Sequence, residues 1–275
     1  MLIDSHCHLQ DKKFGFDIDP VVRRATDAGV TAMVVVGYDM PSSRRAVEIA
    51  DSYDHVYAAI GVHPHDAKTL RPAHIDELGR LADSAKVVAI GEIGLDLFRN
   101  LSPLEEQDRA FHEQLDLAQN LRLPVVIHAR DADNETYAVL DDYASRARWS
   151  PDRPLGVMHC YAGDLPLALR YIDLGFVLSI AGPVTYPTSE RTRAVAKGIP
   201  LRWLAVETDA PYLPPQQIRG KRNEPANVRE VAQCIAELRG DTFADVSDQT
   251  ATTAARLFGL GDIGKPAAER TAEAR

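Results

Sequence analysis

Short apolar runs alternate with longer amphipathic stretches along most of the chain. The runs are rich in Val, Ile and Leu at consecutive positions, which is typical of strands buried on both faces of a parallel sheet. The intervals between them leave room for a helix each time, so the pattern predicts a single-domain (β/α)8 TIM barrel of the α/β class. We predict strands near Leu2–Asp4, Ala32–Gly37, Val56–Gly61, Val87–Gly91, Val125–His128, Gly156–His159, Phe176–Ile180 and Leu204–Glu207.

Several intervening helices carry boundary signals. The sequence SPLE that starts at Ser102 predicts a capping box with proline at the first helical position, and apolar spacing extends this helix to about Leu121. Pro225 is predicted to begin another helix that ends at Gly240, and residues 245–257 form a last one. Because no linker or low-complexity segment interrupts the pattern, we expect one barrel domain over residues 1–260 and a loosely ordered tail over residues 261–275.

Composition is that of an ordinary globular enzyme. The chain has 275 residues, of which 45% are hydrophobic and 26% charged, and no apolar run is long enough to cross a bilayer. Its first residues lack the basic flank and apolar stretch of a signal peptide. The cysteines number only three and are irregularly spaced, which argues against a disulfide framework. We therefore expect a cytoplasmic protein with no membrane association and no obligate protein partner.

The formal net charge of −9 restricts how the protein can meet nucleic acid. With 31 basic against 40 acidic side chains, it is not suited to coat nucleic acid nonspecifically, because such binding depends on many Lys and Arg contacts to phosphates. An enzyme that holds one phosphate through metal ions and a few local cations remains compatible with this charge, since net charge governs solubility and steering rather than pocket chemistry.

Residue types that ligate metals end most of the predicted strands. In a (β/α)8 barrel the C-terminal strand ends form one face, at which side chains distant in sequence converge. Histidines stand at the ends of four predicted strands or just beyond them, and acidic residues stand at two others. These residues are His6, His8, His63, His128 and His159, with Glu92, Glu207 and Asp209. Their convergence predicts a metal centre at this face.

His6 and His8 have a direct geometric reason to act together. Side chains two apart on a strand point to the same face, so both imidazoles can reach one ion, whereas Cys7 points away and is expected to pack. An isolated His-x-His is usually coincidental. Its position at the end of the first strand, with polar residues ending later strands, favours ligation.

The acidic residues each leave an alternative. Glu92 directly follows an apolar strand, where a carboxylate needs a cationic partner. That partner can be a metal ion or the side chain of Arg99 or Arg130. We favour a metal because histidines surround it. Asp209 and Glu207 share parity after the eighth strand, which lies beside the first in a closed barrel, so spacing alone leaves open which acid is a ligand.

The chemistry predicted for this residue set is metal-assisted hydrolysis. Two divalent ions about 3.5–4 Å apart lower the pKa of a shared water and stabilise charge on the attacked group. We predict catalytic roles for Glu92, whose two oxygens can bridge two ions, and for Asp209, which can orient the water or accept its proton. Imidazole ligands favour Zn, Mn, Fe or Ni, and a mixed set also accommodates Mg, so the identity of the metals stays open.

The motifs resemble those of the TatD family of metal-dependent deoxyribonucleases, a branch of the amidohydrolase-like TIM barrels. The resemblance covers nearly the whole chain in the family's order: DSHCH (4–8), GVHPH (61–65), GEIGLD (91–96), PVVIHAR (124–130), HCYAG (159–163), ETDAPYL (207–213) and RGKRNEP (219–225). It implies a DNA phosphodiesterase, often trimming from a 3′ end. It also implies one ion on His6, His8, Glu92 and Asp209, with Glu92 bridging to a second ion on His128 and His159.

Two segments depart from the family's usual pattern. Ala162 stands where the family often has serine, and the segment SIAGPVTYP over residues 179–187 lacks the usual lysine. The departures bear on contacts to DNA more than on metal binding. Candidate phosphate contacts are His63, Arg99, Arg130 and the basic cluster Arg219, Lys221 and Arg222, and Tyr161 is a candidate for stacking on a base.

Three functional hypotheses follow. The first is a nuclease acting on ends or single strands of DNA. The second is hydrolysis of an amide, ester or lactone bond on the same site, since the same ions polarise carbonyl groups; Glu92, in place of the carboxylated lysine of many related barrels, disfavours it. The third is a metal store, which a general-base candidate disfavours. His65 is expected to bond within its loop, and a short basic cluster is as often solvated.

Overall fold

The computed structural model describes residues 1–147 and 153–261, in which eight parallel strands form one sheet in chain order. The strands are β1 (Leu2–Cys7), β2 (Val30–Val36), β3 (Val56–Ile60), β4 (Val87–Asp96), β5 (Val125–Arg130), β6 (Gly156–Met158), β7 (Phe176–Ile180) and β8 (Leu204–Val206). The predicted α/β class and TIM barrel are confirmed.

Helices alternate with these strands. The α-helices are α1 (Ile18–Asp27), α2 (Met40–Ser52), α3 (Pro72–Leu81), α4 (Leu104–Leu121), α5 (Asp133–Arg146), α6 (Leu165–Asp173), α7 (Glu190–Gly198), α8 (Val228–Arg239) and α9 (Phe243–Phe258). Short 3-10 helices cover Pro64–Thr69, Gly182–Thr185, Leu201–Trp203, Gln216–Ile218 and Pro225–Asn227. Within the described residues, no helix has both the length and the apolar character needed to cross a bilayer.

The barrel closes between β1 and the segment after β8. Cys7 pairs in parallel with Ala210, the His8 amide donates to the Ala210 carbonyl at 2.7 Å, and the Asp209 amide donates to the His6 carbonyl at 2.9 Å. Asp4 strengthens the seam, because its carboxylate accepts from both the amide (2.8 Å) and the hydroxyl (2.6 Å) of Thr208. The seam thereby places the end of β1 beside Asp209.

Two apolar clusters stabilise the barrel. The larger lies between the strands and the surrounding helices. The smaller fills the barrel interior with small side chains from the strands and is covered by α9. It contains Ile3, Ala32, Val34, Val36, Ala59, Val88, Ala89, Val126, Val157, Val177 and Ala205, with Ala251, Ala254, Leu257, Phe258 and Leu260 from the α9 region. Alanine and valine suit the narrow interior of an eight-stranded barrel.

The predicted helix boundaries were partly wrong. α4 runs to Leu121 as expected, but Ser102 does not cap it: its hydroxyl donates to the His65 carbonyl at 2.8 Å and is occupied by that loop contact. Pro225 begins a 3-10 turn, and α8 starts only at Val228. The helix ends at Arg239 and is capped by Gly240, whose φ of 73° is the left-handed conformation that glycine favours. The tail predicted for 261–275 falls outside the described residues from 262 onward.

Candidate metal centre

The C-terminal strand ends surround a cavity of about 570 Å³. The side chains able to bind a metal come from the ends of several strands or from the loops that follow them, as the parallel arrangement requires. The lining includes His8 after β1, Glu92 of β4, His128 of β5, His159 after β6 and Asp209 after β8, together with His63, His65, Lys12, Tyr38, Asp66, Arg99, Arg130, Asp11 and Tyr212.

Four side-chain atoms form a first donor group. The Nε2 atoms of His6 and His8 are 3.2 Å apart, and the His8 nitrogen lies 3.3 Å from Asp209 Oδ1. The His6 nitrogen lies 3.5 Å from Glu92 Oε2 and 3.9 Å from Asp209 Oδ1. The first donor group therefore unites side chains from three separate strand ends.

The other oxygen of Glu92 faces a second donor group of three imidazoles. Glu92 Oε1 lies 2.9 Å from His128 Nδ1, 3.4 Å from His63 Nε2 and 3.5 Å from His159 Nε2. One carboxylate thus presents one oxygen to each group. A carboxylate in this position could hold a cation with each of its oxygens.

The donor set fits divalent cations on geometric grounds. Ligand atoms that surround a cation at about 2.0–2.2 Å are separated from one another by roughly 3–3.6 Å. Most donor separations within each group fall between 2.9 and 3.5 Å. Two buried atoms beside the groups, His6 Nδ1 and Glu207 Oε2, also lack a hydrogen-bond partner among the described residues, which is unusual for buried polar atoms.

The pKa shifts of these side chains are also compatible with a cation site. Burial alone would raise the pKa of Glu92, but the imidazoles of His159 and His63 hold it well below its usual range, so Glu92 is ionised. Burial lowers the pKa of His63 to about 4, which leaves a neutral imidazole whose Nδ1 accepts from the His65 amide at 3.1 Å and whose Nε2 faces Glu92. Burial would also lower the pKa of His159, yet the carboxylates of Glu207 and Glu92 raise it to about 10. The proton on His159 compensates the negative charge of Glu207 and Glu92. A bound metal cation would compensate the same charge.

Two further carboxylates hold the imidazoles from behind. Asp96 Oδ2 lies 3.0 Å from His128 Nε2 and 2.8 Å from His65 Nε2. Glu207 Oε1 lies 2.8 Å from His159 Nδ1 and accepts from the Cys160 amide at 2.8 Å. Asp96 was not among the predicted site residues, and Glu207 was predicted either as a ligand or as a partner within the barrel. The 2.8 Å distance from Glu207 to His159 Nδ1 favours the role of partner.

The backbone places these groups through two special positions. Gly94 has a φ of 137°, and a Cβ there would stand 2.0 Å from the His128 carbonyl oxygen, so only glycine allows β4 to lie this close to β5. Asp209 has a φ of 55°, a left-handed conformation that aspartate tolerates better than most residues. Such conformations cluster at functional sites.

Cations without protein partners line the same cavity. Within residues 1–147 and 153–261, the side chains of Lys12 and Arg99 make no hydrogen bond or ion pair, and the Arg130 guanidinium makes only a stacking contact 3.8 Å from the Phe98 ring. Unpaired cations beside a cation site can neutralise an anionic substrate group. The lining thus suits a phosphate.

The remaining predicted contacts lie elsewhere. The Arg222 guanidinium bonds with Asp17, Glu224 and the Lys13 carbonyl, and it does not line the cavity. Tyr161 is only 6% exposed, and its hydroxyl donates to the Asp164 carbonyl at 2.9 Å. It lines a neighbouring crevice instead. His65, expected to bond within its loop, reaches the site through Asp96.

Comparison with known proteins gives concordant matches. The family model described as TatD related DNase matches residues 3–259. An uncharacterized metal-dependent hydrolase of Bacillus subtilis, YabD, is 40% identical over 94% of this chain and 99% of its own length. A 3′-5′ ssDNA/RNA exonuclease TatD of Klebsiella pneumoniae is 36% identical over 94% of this chain and 98% of its own. The crystal structure of a TatD homolog, YJJV, from Escherichia coli superposes with a TM-score of 0.86 at 32% identity, covering 94% of this chain and 98% of that one.

Proposed function

The chain belongs to the TatD-related DNase family, and on that premise we propose that it removes nucleotides from the 3′ end of single-stranded DNA. It is a metal-dependent hydrolase. The observation that carries the proposal is the pair of donor groups that share Glu92, one oxygen to each, at the floor of a cavity lined by unpaired cations.

We assign the first ion to His6, His8, Glu92 and Asp209, and the second to Glu92, His128 and His159. His63 Nε2 lies 3.4 Å from Glu92 Oε1, but the Nδ1 atom of this neutral ring accepts from the His65 amide, so its Nε2–H is placed to meet the substrate phosphate. When bound, two divalent cations activate water and stabilise charge on the attacked phosphate. Zn, Mg, Mn, Fe and Ni are all compatible with this mixed donor set.

Asp209 is the proposed general base. Its side chain is 13% exposed to the cavity, whereas that of Glu92 is 5% exposed, so Asp209 is the carboxylate better placed to meet a water. The water oxygen bonds to phosphorus while Asp209 accepts its proton. The bond from phosphorus to the leaving oxygen breaks, and that oxygen takes up a proton.

Arg130, Arg99 and Lys12 are proposed to hold the phosphates on either side of the reacting one, because their side chains face the cavity and have no acceptor among the described residues. Tyr161 and Arg222 were predicted to contact substrate. Arg222 is held by Asp17 and Glu224, which gives that role no support, and the Tyr161 ring lines the neighbouring crevice.

Phosphodiester hydrolysis is favoured over hydrolysis of amides, esters or lactones, because relatives that match nearly the whole chain are named as exonucleases. We further propose a cytoplasmic location, which unpaired cysteines at positions 7, 160 and 234 support. Nucleic acid is the proposed partner, and we propose no obligate protein partner.

The test is a cleavage assay with metal-depleted protein that is reloaded with Mg, Mn, Co or Zn. A 5′-labelled single-stranded oligonucleotide should be shortened stepwise only in the presence of a metal. Glu92→Gln and Asp209→Asn should each lower the rate by about 100-fold or more, whereas Asp27→Asn, an exposed surface control, should not. Absence of shortening with every metal, or faster hydrolysis of carbonyl esters, would overturn the proposal.

A further inference from the structure

A second cavity, of about 240 Å³, lies beside the metal cavity, between the loops that follow β5 and β6. The two cavities share Arg130 and His159. A ligand group held at the metals is therefore next to the opening of this crevice, which we call the side crevice. None of the roles assigned so far uses it.

Buried aromatic and apolar side chains lie at the bottom of the side crevice. Met158 and Tyr171 are each 1% exposed, and Tyr161 packs edge-on against Tyr171 with ring centroids 6.2 Å apart. A Cβ at Gly163 would stand 2.4 Å from the Tyr161 hydroxyl oxygen, so glycine lets the backbone lie directly against the phenol. The apolar part of this lining suits contact with an aromatic base.

The lining of the side crevice carries charges of both signs. Arg130 belongs to both cavities, and its guanidinium is held by the Phe98 ring. Arg191, near the start of α7, is exposed and makes no ion pair or hydrogen bond within the described part of the chain. The carboxylates of Asp131 and Asp133 complete the lining. Carboxylates repel a phosphate but accept hydrogen bonds from a hydroxyl.

We propose that the side crevice binds the terminal nucleoside of the strand, with its 5′-phosphate at the metal centre and Arg130 between the two. This rests on the proposed nuclease function and deepens it. An internal nucleotide would carry a second phosphate toward Asp131 and Asp133, whereas a terminal one presents a free hydroxyl. The crevice therefore selects strand ends.

The hydrolytic step is consistent with this placement. The water oxygen bonds to the 5′-phosphorus of the terminal nucleotide, and the bond to the 3′-oxygen of the preceding nucleotide breaks. That oxygen takes up a proton, and the terminal residue leaves as a nucleoside 5′-monophosphate.

The experiment compares two phosphodiesters with the same leaving group, p-nitrophenyl thymidine 5′-phosphate and methyl p-nitrophenyl phosphate. The ratio of their kcat/KM values measures the nucleoside's contribution alone. Arg191→Gln removes a guanidinium placed to donate to the carbonyl oxygens of the base, and Ala162→Trp fills the space that the nucleoside would occupy, so each should lower this ratio by about tenfold. Lys197→Gln, an equal charge change on the same helix, should leave it unchanged.

A binding measurement supplies a readout without catalysis. Thymidine 5′-monophosphate should bind metal-loaded protein in calorimetric titration, and both crevice variants should raise its Kd by about tenfold while Lys197→Gln does not. Wild-type ratios and wild-type Kd in both crevice variants would overturn the inference. If no phosphodiester is cleaved at all, the nuclease proposal fails, and the binding titration still decides whether the crevice takes a nucleotide.

Discussion

Individual side chains behind the donor groups decide how firmly the imidazoles are held. Asp96 contacts one ring nitrogen of His128, and Glu207 contacts one ring nitrogen of His159. The other nitrogen of each histidine faces Glu92. Such outer carboxylates fix the tautomer and orientation of a metal-binding imidazole and raise its basicity. The positions of His128 and His159 therefore depend on residues that need not touch an ion.

Asp96→Asn tests this dependence. The amide keeps the volume of the side chain but loses the negative charge shared by His128 and His65, so metal affinity should fall by about 10- to 100-fold. Competition of the protein with a metal-binding indicator dye measures this, with Asp27→Asn as the surface control. Unchanged affinity in Asp96→Asn would show that the carboxylate does not position His128.

The residues of the donor groups were predicted to converge from their positions at strand ends, whereas Asp96 was not among the predicted site residues. The predicted fourth strand ended at Gly91, whereas β4 continues to Asp96 through pairing of Gly94 with His128 and of Asp96 with Arg130. Asp96 lies four positions after Glu92, and the two-residue period of a strand places both on one face. That signal was present, but the mixed Gly, Glu and Asp content concealed the continuation of the strand.

Among the elements, α9 has the clearest structural task, because it covers the end of the barrel interior opposite the metal centre. Leu257 is fully buried against the small interior side chains. Leu257→Ala should lower the free energy of unfolding by about 2–5 kcal/mol. Thr252→Ala, on the exposed side of α9, should change it little, as urea titrations of both variants would measure. Equal effects of the two changes would contradict this packing.

An ion-pair network joins the loop after β1, α1 and the segment before α8. Glu224 bonds with Arg24 (2.7 Å) and Arg222 (2.8 Å), and Arg222 also contacts Asp17. Burial alone would raise the pKa of Glu224, but the two guanidinium groups hold it below its ordinary value. The stabilisation is therefore present above the unfolded-state pKa and is lost as pH falls through the folded-state pKa.

Glu224→Gln should accordingly destabilise the protein by about 0.5–1 kcal/mol at neutral pH, a value that reflects partial exposure. The difference from the unsubstituted protein should shrink as pH falls below the unfolded-state pKa of a glutamate, about 4.3, and through the lower folded-state pKa. Chemical unfolding at a series of pH values provides the measurement. A difference that stays constant from pH 7 to pH 3 would exclude the charge as its cause.

The elements themselves were predictable because apolar runs and helical spacing reflect burial directly. The ends of the elements were less predictable, because caps and strand extensions depend on tertiary partners. Ser102, for example, matches a capping sequence but donates its hydroxyl to the His65 carbonyl across a loop. The side crevice was not predictable at all, because it arises from the packing of two loops.

At the scale of the whole molecule, a net charge of −9 is combined with a local group of unpaired cations at one face. The overall charge opposes nonspecific binding to nucleic acid, and the local cations confine attraction to the cavity mouth. The closed barrel brings residues that are far apart in the sequence close together. His6 Nε2 and Asp209 Oδ1, for example, are 3.9 Å apart. Charge distribution and fold together favour a site that acts on ends rather than along a duplex.

The account depends most on two divalent cations gathered around Glu92. Anomalous X-ray diffraction from crystals of Zn- or Mn-loaded protein tests this most directly. It should show two metal peaks about 3.5–4 Å apart, one against His6, His8 and Asp209 and the other against His128 and His159. A cavity without metal peaks, or metal bound only outside this ring of side chains, would contradict the account.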